Sequence, residues 1–405
     1  MGELCGIGTP YSTNLHQPAL CSMFASVVLS AIALSSILVQ ALVLPSPPGP
    51  FSVSLSLAEI VDSFRDDPYA PNSQPRRLML SIFSPTRWDL CQNTTVPYMP
   101  TPVAEAYDAM FKPYVPIGTF ESLSLSVCSH MAIQGTSPRP KDATRVLVFS
   151  PGLGNSRLEY NTLAMAIAAK GWTVITIDHP YDAVAVTFLD GTTVYAANIS
   201  TDAQIDYDVS VRTADMRFVV NQVRANTSLV PINGAKVESI QTLGHSLGGA
   251  TALDILLQDD ADILSAINLD GQLFGPVVTA GVPKPFLLIG NQQHNLTSDP
   301  TWASAYNAST GIKVDLDVRD SVHGTFSDLP FLAAITGLDN GSTSEELGLL
   351  VGTIPGLQVN GLLAELVDTW MSRTGAHATL DHLVTALGSI PHVDVQNYTQ
   401  SRSEK

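Results

Sequence analysis

Residues 239–258 read S-I-Q-T-L-G-H-S-L-G-G-A-T-A-L-D-I-L-L-Q, and this stretch decides the fold. The run 239–243 predicts a buried strand, and 249–258 has the apolar pattern of a buried helix. Between them, Gly244-His-Ser-Leu-Gly248 fits the G-x-S-x-G motif, which is weak by itself but specific when it joins a strand to a helix. The stretch therefore predicts a nucleophile elbow, with Ser246 on the turn and the small residues Gly244 and Gly248 beside it.

On both sides of this stretch, short apolar runs end at proline, glycine or aspartate and alternate with helical patterns. The predicted strands are 77–83, 145–149, 172–177, 239–243, 265–269, 285–289 and 312–318. The predicted helices between them are 158–170, 205–223 and 249–258. This alternation indicates βαβ units, and strands without polar alternation are covered on both faces. We expect one α/β domain over 76–400, a doubly wound, mostly parallel sheet with helices on both faces, interrupted by a loop at 190–204.

The chain from about residue 343 also has a helical pattern. One apolar face is formed by Leu362, Leu363, Leu366, Val367, Trp370 and Met371. Such a face usually packs against the sheet of its own domain, which is what we expect here. Contact with a lipid surface is the alternative.

Composition excludes several classes of protein. The 405 residues are 45% hydrophobic and 14% charged, which argues against wholesale disorder. Twenty basic against 37 acidic residues give a net charge of −17, and such a surface would repel a phosphate backbone. HExxH, CxxC and Walker A motifs are absent. We therefore predict no metal, no nucleic-acid partner and no obligate protein partner.

The N-terminal part contains an apolar segment, 23–44, followed by a proline-rich stretch. Val39-Gln-Ala41 has the small residues that a signal peptidase requires, so we predict a signal peptide over 1–41 and a secreted protein. Met23 is a candidate for the true start, in which case residues 1–22 are an extension of the gene model. An uncleaved membrane anchor is the alternative, because the segment is long enough to span a bilayer. The Pro/Ser-rich residues 42–75 are expected to form an extended lead-in.

Glycosylation motifs and cysteines agree with secretion. Seven N-x-[ST] sequons predict surface positions, at Asn93, Asn198, Asn226, Asn295, Asn307, Asn340 and Asn397. Cleavage after Ala41 removes Cys5 and Cys21. Cys91 and Cys128 remain, and an oxidising compartment favours a disulfide between them. Two separate buried thiols are the alternative.

A serine nucleophile requires a base and an orienting carboxylate, which on this fold follow it in the order acid, then histidine. Asp270 ends the strand after the elbow helix, whereas Asp178 ends a strand that precedes the serine. His323 follows the 312–318 strand by five residues and is the predicted base. His294, which also follows a strand, is the second candidate.

The second donor for an oxyanion should come from the loop after an earlier strand. Ser150-Pro-Gly-Leu-Gly154 follows the 145–149 strand, and its glycines would let the Leu153 N–H point inward. The Leu247 N–H, at the helix N-terminus, would be the other donor. The Gly-Leu-Gly is not a dinucleotide loop, because Arg157 stands where a third glycine is required.

Four segments resemble the platelet-activating-factor acetylhydrolase family (plasma and type II forms) of the α/β-hydrolase superfamily. They are 150–154, 244–249, Asn268-Leu-Asp-Gly271 and Ser321-Val-His-Gly-Thr-Phe-Ser-Asp328, within a similar region of about 76–335. The resemblance implies Ser246 as nucleophile, Asp270 as acid, His323 as base, the Leu153 and Leu247 amides as oxyanion hole, and calcium-independent cleavage of short or oxidised acyl chains from phospholipids without a cofactor. Pro151 departs from a histidine common in the family, and 190–204 and 340–405 match poorly.

The sequence thus predicts a secreted serine carboxylester hydrolase that acts on an ester substrate, such as a phospholipid at a lipid surface. Polyesters and small secondary metabolites are alternative substrates, and a peptidase on the same triad is an alternative reaction. A catalytically inactive hydrolase scaffold used for binding is the alternative from another class. It is disfavoured because serine, acid and histidine are all present in order.

Overall fold

The computed structural model describes residues 41–112, 114–129, 144–225, 237–258, 262–338, 344–374 and 379–399. The predicted signal peptide lies outside these residues, apart from Ala41. Fourteen strands are present in this part of the chain: β1 Leu42–Leu44, β2 Ser52–Asp66, β3 Pro75–Thr86, β4 Asn93–Pro97, β5 Leu123–Cys128, β6 Thr144–Ser150, β7 Thr173–Asp178, β8 Ala185–Thr187, β9 Thr193–Tyr195, β10 Val237–His245, β11 Ile263–Leu269, β12 Phe286–Asn291, β13 Lys313–Val318 and β14 Val393–Thr399.

Ten α-helices accompany them in the described ranges: α1 Thr101–Met110, α2 Asn161–Ala168, α3 Asp202–Arg224, α4 Leu247–Asp254, α5 Val277–Ala280, α6 Pro300–Ala308, α7 Leu329–Thr336, α8 Ser344–Val351, α9 Gly356–Thr374 and α10 Leu380–Gly388. Short 3₁₀ segments lie at Trp88–Leu90, Arg157–Tyr160, Ile255–Leu257 and His323–Phe326.

One large sheet organises the domain. Its strand order is β1-β5-β2-β3-β7-β6-β10-β11-β12-β13-β14, with β4 paired to β5. The six strands from β7 to β13 are parallel to one another, and β3 and β14 flank them antiparallel. The prediction of a mostly parallel α/β sheet is confirmed.

Both faces of the sheet are covered, because alternate residues of each strand point to opposite sides. In β6, Leu147 and Phe149 face a core that includes residues of α2 and α9, whereas Val146 and Val148 face a second core with residues of α3 and α4. Since each strand is buried on both sides, its sequence is a continuous apolar run. The prediction of helices on both faces is therefore confirmed as well.

The sheet begins earlier in the chain than predicted. Residues 42–75 contain β1 and β2, and β2 pairs with β3 from Ser52 opposite Thr86 to Asp62 opposite Arg76. The expectation of a lead-in was wrong, because the serines of S-V-S-L-S-L alternate with apolar residues at the period of a strand. Within the predicted 190–204 loop, β9 forms a small hairpin with β8.

The apolar face of the C-terminal helical region packs into the domain, as expected. Leu363, Val367 and Trp370 of α9 are buried, and the Trp370 indole N–H lies 3.2 Å from the Ser265 hydroxyl on β11. The stretch Glu346–Thr374 is apolar enough to cross a membrane by length and composition, but α9 is a core helix of this domain.

Candidate active site

The predicted site residues meet at the carboxyl end of the parallel strands. Leu153 follows β6, Ser246 follows β10, Asp270 follows β11 and His323 follows β13. Together with Leu247 and other residues they line one groove of about 600 Å³. In open α/β sheets, ligands bind at this edge.

Ser246 lies on a tight turn between β10 and α4. Its φ of 54° and ψ of −127° are unusual for a residue with a side chain, and such strain is frequent at functional sites. A Cβ atom on Gly244 would lie 2.0 Å from the Gly248 carbonyl oxygen, and one on Gly248 would lie 2.0 Å from the Ser150 carbonyl oxygen. Both glycines are therefore required for helix and strands to approach this closely.

Asp270 is buried and hydrogen-bonded to the predicted base. His323 Nδ1 lies 2.6 Å from Asp270 Oδ2, and Asn291 donates to the same carboxylate from its backbone and side chain. Burial alone would raise the pKa of Asp270, but hydrogen bonds from His294 and His323 outweigh it and hold the pKa well below its ordinary value. The carboxylate therefore stays charged and can orient the His323 ring.

His294 contacts the same carboxylate. Its Nδ1 lies 2.9 Å from Asp270 Oδ1, and its Nε2 lies 2.9 Å from Asp299 Oδ2. Since both ring nitrogens are occupied, His294 has no nitrogen left to accept a proton from a substrate or a serine. Among the described residues, His323 Nε2 has no hydrogen-bond partner, and the side chain is 54% exposed. The geometry thus favours His323 over His294 as the base.

The loop 150–154 is held in place on nearly all of its backbone groups. The Arg212 guanidinium donates to the Pro151 and Gly152 carbonyl oxygens at 2.6 and 3.1 Å. The Gly152 N–H donates to the Tyr160 hydroxyl, and the Gly154 N–H donates to an Asp182 carboxylate oxygen.

The two predicted oxyanion donors are the backbone amides of Leu153 and Leu247. Within the described part of the chain, neither the Leu153 N–H nor the Leu247 N–H has a hydrogen-bond partner, and both residues line the groove. Leu247 is the first residue of α4, where N–H groups have no partner inside the helix. This arrangement can stabilise negative charge on a carbonyl oxygen in the groove.

His245, next to the nucleophile, links the elbow to the His323 loop. Its Nε2 donates to the His323 carbonyl oxygen at 3.1 Å, and its Nδ1 accepts from the Tyr160 hydroxyl at 2.8 Å. Burial, reinforced by the neighbouring His323, lowers the pKa of His245 to about 3. His245 is therefore neutral at physiological pH, and its two hydrogen bonds hold the elbow against the His323 loop.

A second serine–histidine–aspartate chain lies below the loop. The Ser150 hydroxyl is 2.9 Å from His179 Nε2, and His179 Nδ1 is 2.9 Å from Asp215 Oδ2. All three residues are at most 1% exposed, and Asp215 also pairs with the buried Arg76.

Sequence reasoning did not find Tyr160, Arg212 or the role of His245. The contacts of Tyr160 with Gly152, of Arg212 with Pro151 and of His245 with Tyr160 span 8, 61 and 85 residues along the chain, so no local motif marks them. The only signal was position, since His245 lies inside the elbow motif. Asp178, which precedes the serine in the chain, accepts from the Ser156 hydroxyl and pairs with Arg157.

The predicted disulfide is confirmed. Cys91 and Cys128 are joined, which ties the segment just before β4 to the end of β5.

Four sequon asparagines are exposed, as expected, at Asn93, Asn198, Asn307 and Asn397. Asn295 is half-buried, and its side chain donates to Asp317. Asn226 and Asn340 lie outside the described residues. No group of His, Cys, Asp or Glu in the described ranges could hold a metal ion.

At the carboxyl edge of this doubly wound sheet lie a strained serine elbow and a charged aspartate that is paired with a histidine. These features define the α/β-hydrolase class. The family model "Platelet-activating factor acetylhydrolase, isoform II" matches residues 115–228 and 231–337. A fungal protein from Arthroderma benhamiae, "Probable 1-alkyl-2-acetylglycerophosphocholine esterase", is 31% identical over 355 residues, covering 83% of this chain and 87% of its own length. The chain belongs to the platelet-activating factor acetylhydrolase family and is a carboxylic ester hydrolase.

Two further comparisons agree with this family and this fold. The platelet-activating factor acetylhydrolase of Cavia porcellus is 24% identical over 216 residues, which cover 46% of this chain and 49% of that protein. A solved structure of a ferulic acid esterase from Streptomyces cinnamoneus is similar with a TM-score of 0.68 and 25% identity, covering 88% of this chain and all of the other. The α/β-hydrolase fold of the domain is therefore shared with a ferulic acid esterase.

Proposed function

We propose that this protein is a secreted serine esterase that cleaves short acyl esters through Ser246, Asp270 and His323. The observation that carries the proposal is the 2.6 Å hydrogen bond between His323 Nδ1 and Asp270, with His323 and Ser246 in one groove. Because Asp270 accepts a hydrogen bond from the Nδ1–H of neutral His323, the Nε2 lone pair of that ring is available to the serine.

In this mechanism, His323 Nε2 takes the proton of Ser246 Oγ while Oγ attacks the ester carbonyl carbon. The resulting oxyanion accepts hydrogen bonds from the Leu153 and Leu247 amides, and the loss of one such donor typically costs about 10²–10³ in rate. His323 then gives the proton to the departing alkoxide, which leaves an acyl-enzyme on Ser246. Water, deprotonated by His323, releases the acid and restores the serine.

The walls of the groove favour an uncharged acyl group and a substrate without net negative charge. Leu153, Ile205 and Phe274 supply apolar surface, and Gln272 and Gln293 supply neutral polar groups. No lysine or arginine is among the described residues that line the groove. A zwitterionic glycerophosphocholine bearing a short acyl chain fits these properties and is the substrate class in the fungal relative's name.

An aromatic or polymeric ester is the second candidate substrate. It is favoured by the similarity to a ferulic acid esterase, which spans 88% of the chain, and by Phe274 in the groove wall. An aromatic acyl group could stack on this ring.

Secretion is proposed from the N-terminal apolar segment, the disulfide and the exposed sequons. N-terminal sequencing of protein produced through a secretory pathway tests it. A start near Leu42 supports cleavage, and a product that keeps residues 23–41 supports the membrane anchor instead.

The catalytic proposal is tested with p-nitrophenyl esters from C2 to C16, comparing residues 42–405 with the Ser246→Ala variant. We expect hydrolysis confined to C2–C4, lost in the variant, followed by release of acetate from an acetylated glycerophosphocholine. A preference for feruloyl or long-chain esters would favour the second candidate. Equal activity of the Ser246→Ala variant would refute the serine mechanism, and a folded protein inactive on all esters would favour the binding scaffold.

A further inference from the structure

His294 is held between two carboxylates. Its Nδ1 faces Asp270 Oδ1 and its Nε2 faces Asp299 Oδ2, each at 2.9 Å. The ring stacks on the Trp302 indole with centroids 4.1 Å apart and planes inclined by 30°. A neutral imidazole carries only one N–H and cannot donate to both carboxylates. His294 is therefore an imidazolium.

Other properties of the site agree with this charge. Burial alone would lower the pKa of His294, but hydrogen bonds to Asp270 and Asp299 raise it to about 9. The stacked indole face also favours a cation. Asp315 and Asp317 of β13 lie near enough to interact electrostatically with His294, and both are acidic.

Asp299 is fixed from its other side by the start of α6. Its Oδ1 accepts from the Thr301 backbone N–H at 2.7 Å and from the Thr301 hydroxyl at 2.6 Å, which leaves Oδ2 for His294. The Trp302 indole N–H donates to the Gly271 carbonyl oxygen at 2.6 Å, directly after Asp270. The helix end, Asp299, His294 and Asp270 thus form one continuous chain of hydrogen bonds.

We propose that His294 is a cationic positioning residue that, through Asp270, keeps the esterase active at mildly acidic pH. His294 and Asn291 occupy Asp270 Oδ1, so that Oδ2 is presented to His323. The positive charge of His294 also offsets part of the negative charge of Asp270. A second positive charge beside Asp270 then costs more, which moves the acidic limit of activity to lower pH.

Few charged groups surround this chain of hydrogen bonds. Asp270 and the neutral His245 face His323, while Asp299, Asp315 and Asp317 surround His294. The inference rests on the proposed function, because it assigns a role to His294 through the Asp270–His323 pair.

The decisive variant is Asp299→Asn. Asn Oδ1 can still accept from Thr301, and Asn Nδ2 can donate to Nε2 of a neutral His294, whose Nδ1–H still reaches Asp270. The hydrogen bonds remain, while the negative charge of Asp299 and, with it, the positive charge of His294 are lost; His294 is the nearer of the two to Asp270, so the loss of its charge dominates at the Asp270–His323 pair. We expect the acidic midpoint of the kcat/KM profile to rise by about one pH unit, which corresponds to an interaction of about 1.4 kcal/mol. His294→Gln should raise it too, and Asp89→Asn, an exposed acid outside the groove, should not.

Nitrogen-15 NMR of the histidine rings at pH 7 tests the charge without any substrate. Both ring nitrogens of His294 should carry a proton in the wild-type protein, and only Nδ1 should in Asp299→Asn. A neutral His294 in the wild type would overturn the inference, as would an unmoved midpoint in a variant whose His294 has lost its charge. If the wild-type protein hydrolyses no ester, the proposed function fails, and the role of His294 fails with it even where NMR shows the cation.

Discussion

The Tyr160 hydroxyl donates a hydrogen bond of 2.8 Å to His245 Nδ1, which joins the oxyanion loop to the nucleophile elbow. The same hydroxyl accepts from the Gly152 N–H and the Asn155 side chain, and His245 passes the connection on to the His323 carbonyl oxygen. One phenol thus fixes the relative positions of the proposed oxyanion donors, the proposed nucleophile and the proposed base.

Replacing Tyr160 by phenylalanine tests this connection. Tyr160→Phe removes the acceptor of the buried Gly152 N–H, which costs about 1–3 kcal/mol of unfolding free energy. Because the Leu153 amide then moves relative to Ser246, we expect kcat to fall by about tenfold with KM nearly unchanged. Steady-state kinetics and urea unfolding measure both effects. The control is Tyr306→Phe, whose hydroxyl contacts Thr399 away from the groove and which should keep wild-type kcat.

Arg212 offers a stronger perturbation of the same loop. Its guanidinium holds two loop carbonyls while pairing with Asp182 and Asp208, and a lysine cannot make all of these contacts. We expect Arg212→Lys to lower kcat by about 10²-fold and the free energy of unfolding by about 3 kcal/mol. Arg217→Lys, at an exposed position on the same helix, should change neither. Wild-type kcat in a folded Arg212→Lys protein would show that the clamp is dispensable.

The buried Glu159 makes stability depend on pH. Burial, reinforced by the Asp328 carboxylate, raises the pKa of Glu159 to about 7 despite a hydrogen bond from Tyr107. Since the folded state binds this proton more tightly than the unfolded state, the stabilisation is complete below about pH 4.5 and is lost as pH rises through 7. Between pH 4.5 and 8, Glu159→Gln should gain about 2–3 kcal/mol over the wild type.

Urea unfolding at the two pH values measures this gain. Glu121→Gln, at an exposed position where the carboxylate accepts from the Thr101 hydroxyl, is the control and should show the same difference from wild type at both. A Glu159→Gln difference that does not change with pH would contradict the raised pKa.

The disulfide should affect stability without affecting catalysis. Cys91 and Cys128 are 37 residues apart in sequence, and a loop of that size corresponds to about 4 kcal/mol from lost entropy of the unfolded chain. The double variant Cys91→Ser, Cys128→Ser should lose about 3–4 kcal/mol of unfolding free energy and keep its kcat at 25 °C. A loss of kcat in the folded variant would mean that the β4–β5 edge influences the groove.

Much of this fold could be predicted from sequence, because the parallel strands are buried on both faces and most of their apolar runs stop at a glycine, proline or aspartate. β2 was missed because prolines at 45, 47, 48 and 50 suggested an extended segment. β14 was missed because V-D-V-Q-N-Y-T is half polar, as befits an edge strand whose last four residues are exposed.

In the candidate site, too, some features could be predicted from the sequence and others could not. Ser246, Asp270 and His323 follow strand ends in a known order, so local patterns suffice to predict them. Whether His294 or His323 is free to act as base depends on Asp299, which the sequence does not connect to Asp270. Such contacts depend on the packing of α6 against the sheet, which no motif encodes.

The domain contains two arrangements of serine, histidine and aspartate, and they differ in their exposure to solvent. Ser150, His179 and Asp215 are linked by two 2.9 Å contacts, yet no ester can reach a hydroxyl that is sealed inside the protein. A search for catalytic sites by side-chain hydrogen bonds alone would select this buried trio, because both of its contacts are formed. For this fold, accessibility is what distinguishes an enzyme's reactive centre from a polar brace made of the same three residue types.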